Sequence, residues 1–66
     1  MSLDKVAKKI KETRVRLGFT QAEVAEKAGV NTNYYACIER GEVNPSLEKI
    51  QAIAKALGLK SFDVMS

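Results

Sequence analysis

A chain of 66 residues is one domain at most, and one this short buries only roughly 60% of its unfolded surface, so it must pack well or associate. Its 45% hydrophobic content is that of a folded globule, and a net charge of +3 suits an anionic partner such as nucleic acid as well as it suits a merely basic surface. With no histidine and one cysteine, a Ser–His or Cys–His nucleophile, an internal disulfide and a zinc site are all excluded, which leaves enzyme chemistry little to work with.

Leu3, Val6, Ile10, Arg14 and Leu17 recur at three- and four-residue steps. They form one stripe of an amphipathic helix, with Ser2 as its N-cap and Gly18 as its stop. Arg14 lies within that apolar stripe and calls for a partner. Thr20-Gln21-Ala22-Glu23 fits a capping box. Val24, Ala25 and Ala28 follow as a short apolar face, and Gly29 closes a second helix over about 21–28. Asn31 is an N-cap for a third helix, about 32–40, ended by Gly41. Asn44-Pro45-Ser46 opens a fourth, with Asn44 as cap and Pro45 in the first turn. Leu47, Ile50, Ile53, Ala54 and Leu57 are its buried stripe, and Gly58 stops it. A last turn, about 61–65, holds Phe62, Val64 and Met65. No strand pattern, linker or internal repeat is visible. The pattern predicts five short helices in one compact all-α domain over residues 1–66.

The informative part runs from Gln21 to about Arg40. Ala25 is small where two helices would cross closely, Gly29 sits at the turn, and Val24, Ala28, Val30 and Ile38 supply apolar contacts. Two short helices joined in this way are a helix-turn-helix pattern. The residues T-Q-x-x-V-A-x-x-A-G-V, then I-E-R-G, then N-P-S-L resemble the Cro/C1-type (Xre) regulators over nearly the whole chain. The N-Y…I-E-R-G pattern is most similar to the small controller proteins of restriction–modification systems. The resemblance implies a lambda-repressor-like DNA-binding fold. It also implies sequence-specific binding of duplex DNA and regulation of transcription, and needs no cofactor.

The reading face follows from helical angles of about 100° per residue. If Tyr35 and Ile38 face the core, then Asn33, Ala36, Cys37 and Arg40 face outward, with Thr32 and Tyr34 on the flanks. A recognition helix presents its N-terminal residues to base edges. Asn33 suits adenine, and Thr32 suits a base edge or a thymine methyl. The resemblance implies base contacts at Thr32, Asn33, Ala36 and Cys37. Tyr35 stands where the family usually has an aliphatic residue, and a buried ring needs its hydroxyl satisfied. Backbone phosphates would meet the N-terminus of the second helix at Thr20 and Gln21, the latter a phosphate clamp in the family. Tyr34, Arg40, the loop through Asn44, and Arg16 are further phosphate candidates. Most of the Lys5, Lys8, Lys9, Lys11 run reads as a solvated helix face. The family pairs an Arg with a Glu at the positions of Arg14 and Glu39, which implies a structural salt bridge.

Phe62, Val64 and Met65 are apolar at the end of a chain too small to bury everything, which predicts a homodimer through that segment. Its two recognition helices would lie about 34 Å apart on a palindromic operator. A competing reading is an antitoxin-type module that uses the same fold to bind another protein. The lone thiol suits a reducing cytoplasm, no apolar run is long enough for a membrane span, and no small-molecule ligand is expected.

Overall fold

The computed structural model describes residues 3–59, with side chains described from residue 5 onward. Four helices follow in order: α1 (Leu3–Leu17), α2 (Gln21–Ala28), α3 (Thr32–Glu39) and α4 (Leu47–Ala56). No strand occurs among the described residues. The predicted N-cap Ser2 lies outside them. So does the predicted fifth helix, with Phe62, Val64 and Met65.

Local chemistry sets the helix starts. At α2 the Glu23 N–H donates to Thr20 Oγ at 3.1 Å, and the Thr20 N–H donates to Glu23 Oε1 at 2.9 Å. This is the capping box, and the Thr20 amide holds the Glu23 carboxyl below its ordinary pKa. At α3 the Asn31 side chain accepts from the N–H groups of Asn33 at 2.8 Å and Tyr34 at 3.3 Å. The fourth helix departs from expectation. Its cap is Ser46, which accepts from the Lys49 N–H at 3.2 Å, rather than Asn44. Pro45 precedes the cap and is buried instead of standing in the first turn. A residue before proline is pushed toward extended backbone, so Asn44-Pro45 delivers the chain to the helix, and the following serine caps it.

That later start also corrects the α4 stripe. Ile50, Ile53, Ala54 and Leu57 are buried, but Leu47, now the first helical residue, is 55% exposed. Leu17, at the end of α1 where the chain turns away, is likewise 47% exposed against expectation. Thr13 is buried in α1 instead. Its hydroxyl donates to the Lys9 carbonyl one turn back at 2.8 Å, which removes the cost of burying it.

The core joins all four helices through Val6, Ile10, Val24, Ala25, Tyr35, Ile38, Ile50, Ile53, Ala54 and Leu57. Helix α2 packs on α3 and α4, and α1 packs on α3. The turn between α2 and α3 rests on Gly29, whose φ of 73° is the left-handed region. A Cβ there would meet nothing within 4 Å, so the demand for glycine is conformational, not steric. The Val30 N–H then donates back to the Ala25 carbonyl at 2.9 Å, which closes α2 and aims the chain into α3.

Candidate nucleic-acid interface

Helix α3 carries a buried arc and an exposed one. Tyr35, Ala36, Ile38 and Glu39 are buried, Tyr34 and Cys37 are half-buried, and Thr32, Asn33 and Arg40 are exposed. Ala36 is the departure, only 9% exposed where an outward position is expected. The reason is Glu39. Taking Tyr35 and Ile38 alone as the inward residues leaves Ala36 outside. Glu39 is also drawn in by an ion pair, which moves the centre of the inward arc about 20° toward Ala36, at about 100° per residue. The exposed arc is then centred on Asn33, Cys37 and Arg40.

The ion pair is the hub of a buried polar junction. Arg14 Nε donates to Glu39 Oε2 at 2.6 Å, and Arg14 Nη2 donates to Oε1 at 3.2 Å. This forked arrangement matches the guanidinium to the carboxylate. The third arm, Nη1, donates to the Phe19 carbonyl at 2.8 Å, one residue before the cap of α2. Arg14 therefore ties α1 at once to the entry of α2 and to the end of α3. Burial pushes the Glu39 carboxyl up in pKa, but the hydrogen bonds from Arg14, together with the nearby Tyr35 hydroxyl and the Gln21 amide, outweigh it and hold the group below its ordinary value. Arg14 is raised in turn, chiefly by its hydrogen bond to Glu39.

Gln21 enters the same junction, and its spacing from Glu39 gave no hint of it. Its Nε2 donates to Glu39 Oε1 at 3.0 Å. The residue expected to clamp a phosphate is thus engaged with α3. Just past Glu39, at the same end of α3, Arg40 pairs with Glu42 at 3.0 Å and donates to Cys37 Sγ at 3.3 Å. That pair raises the Arg40 pKa, and it was also missed, although an Arg and a Glu two residues apart beyond a helix end are a visible signal. Thr20 is exposed and spends its side chain on the capping box, while Arg16 and Asn44 are exposed. Lys27 stands over the Phe19 ring at 5.3 Å.

Among the described residues no group of His, Cys, Asp or Glu could hold a metal, and no helix is long and apolar enough to cross a membrane. What the surface does offer is a short helix with a polar exposed arc, and a second helix whose first turn opens beside it.

A helix-turn-helix family model matches residues 10–64, most of the chain. The chain belongs to the Cro/C1-type helix-turn-helix family of transcriptional regulators. It is 44% identical over 55 residues to the immunity repressor protein of Bacillus phage phi105, which covers 83% of the chain but 38% of that repressor. It is 41% identical over 56 residues to YgzD, an uncharacterized HTH-type transcriptional regulator of Bacillus subtilis, covering 85% of each. In three dimensions it is similar to the restriction–modification controller protein C.AhdI from Aeromonas hydrophila, with a TM-score of 0.90, 31% identity and 94% of both chains covered. Members of this family are DNA-binding regulators of transcription, repressors among them.

Proposed function

We propose that this chain binds a pseudo-palindromic duplex operator as a homodimer and regulates the genes beside it, with the exposed arc of α3 lying in the major groove. The observation that carries the reading is the exposed arc itself. Asn33, Cys37 and Arg40 share one side of a helix whose other side is buried, and Thr32 stands at its exposed N-terminal end. Asn33 offers the donor–acceptor pair that matches adenine, and Thr32 a hydroxyl and a methyl. Cys37 is a compact, weakly polar neighbour to them. Tyr34, Arg40, Asn44 and Arg16 take phosphates around this centre, and Thr20 and Gln21 present the N-terminus of α2 to another. The likeness to the controller protein favours control of restriction–modification genes. The dimer contact falls to Phe62, Val64 and Met65, on their apolar character alone.

Selection of bound duplexes from a random library tests the reading. The expected result is an enriched palindrome with half-sites about one turn, roughly 10 base pairs, apart. Its affinity should fall steeply with salt, as counterion release requires. A library that yields no enriched sequence, with a second protein co-purifying instead, would replace operator binding by a protein-interaction role.

A further inference from the structure

The Tyr35 side chain is fully buried, and its hydroxyl has no hydrogen-bond partner. An orphan of this kind is costly, and phenylalanine would fill the same space without it. The hydroxyl is not far from a use, however. Tyr35 and Glu39 stand one helical turn apart on α3. Helical side chains lean toward the N-terminus, so the Glu39 carboxylate hangs over the Tyr35 turn. Burial, and after it the neighbouring Glu39 carboxylate, pushes the hydroxyl pKa far up, so the group keeps its proton and remains a donor.

Three donors already serve that carboxylate: Arg14 Nε, Arg14 Nη2 and Gln21 Nε2. They are not equally fixed. Arg14 is held a third time, at the Phe19 carbonyl. Gln21 is only half-buried and stands in the first turn of α2, where a phosphate would approach. Gln21 is the donor that is able to leave.

We propose that Tyr35 is a positioning residue for DNA binding: when a phosphate draws the Gln21 amide away from Glu39, the Tyr35 hydroxyl replaces it as donor to the carboxylate. The exchange rests on the DNA-binding reading of α2 and α3. It lets Gln21 turn to the phosphate without leaving a buried carboxylate oxygen short of a donor. It also gives the free protein's orphan hydroxyl a partner in the complex. The tyrosine thus lowers the cost of recruiting the clamp, although it touches no DNA.

The test is a cycle of wild type, Tyr35→Phe, Gln21→Ala and the double variant, each measured for unfolding in urea and for binding to the selected duplex. Tyr35→Phe should unfold at the same urea midpoint as wild type or a higher one. It should bind roughly 2- to 10-fold more weakly, the worth of one hydrogen bond. In the Gln21→Ala background the same substitution should change nothing. No loss in the first background, or the same loss in both, overturns the exchange. A wild type that binds no duplex overturns the DNA-binding reading instead, and shows it before any variant is made. A second readout needs no variant. In uniformly 15N-labelled wild type the Gln21 side-chain amide resonances should shift on adding the duplex, and resonances that stay in place overturn the proposal even if Tyr35→Phe fails to fold.

Discussion

Two arginine–glutamate pairs in this molecule have the same chemistry and opposite surroundings. Arg14 and Glu39 meet at 2.6 Å with side chains 14% and 2% exposed, whereas Arg40 and Glu42 meet at 3.0 Å with both 55% exposed. The first pair spans 25 residues of sequence and locks α1, the entry of α2 and the end of α3 together. The second is local, and water competes for both of its partners. Burial therefore separates their roles. A buried pair is a fixture, because losing one member strands the other in a poor solvent. An exposed pair is loosely committed, so Arg40 can give up Glu42 at small cost.

The largest effect expected from this contrast is on stability. Arg14→Ala should destabilise the fold by about 3–5 kcal/mol, since it leaves a buried carboxylate unpaired. A domain this small has a total stability of only about 5–15 kcal/mol, so the variant should be partly unfolded at room temperature by circular dichroism. Replacing both members with apolar residues, Arg14→Met with Glu39→Leu, should recover much of the loss. If the single variant melts like wild type, the pair is not the junction described.

Acid should act on the same junction. The Glu39 carboxyl is held below its ordinary pKa in the folded state, so its contribution to stability is complete above the unfolded value, about 4.3. That contribution is lost as the pH falls through the lower folded value. Glu39→Gln should flatten part of this acid limb in urea unfolding measured from pH 5 downward. The remainder belongs in part to Glu23, whose carboxyl is also held low. Arg40→Ala should leave the limb unchanged.

On the exposed arc the effects move from folding to binding. Asn33→Ala should cost on the order of 1–3 kcal/mol at the selected site and relax its sequence preference, with no change in unfolding. Arg40→Ala should unfold as wild type does. It should weaken selected and random duplexes to similar extents and reduce the salt slope by about 1. A preference lost with Arg40 and kept without Asn33 would exchange the two assignments.

Much of the fold was legible because it depends on neighbours a few residues apart. The capping box at Thr20, the Asn31 cap and the glycine at the turn are each read from local chemistry. The apolar stripes of α1 and α4 were legible except at Leu17 and Leu47, which meet solvent. Asn44-Pro45-Ser46 contains two good caps, and the chain uses the second, with Pro45 buried just ahead of it. The site was harder to read. Arg14 asked for a partner from its place in an apolar stripe, and Glu39 was assigned to it through the family resemblance. That the same glutamate would turn Ala36 inward, hold Gln21 and lie beside the Tyr35 hydroxyl depends on how three helices converge. No spacing along the chain encodes that convergence.

The exposed arc of α3 is the surface proposed to meet DNA. The most direct test is a titration of 15N-labelled protein with the selected duplex, followed residue by residue. The largest shifts should fall on Thr32, Asn33, Cys37 and Arg40 and on the first turn of α2, while the exposed residues Gln51 and Lys55 of α4 stay where they are. Shifts centred on α4, with the α3 arc undisturbed, would move the DNA-binding surface away from α3.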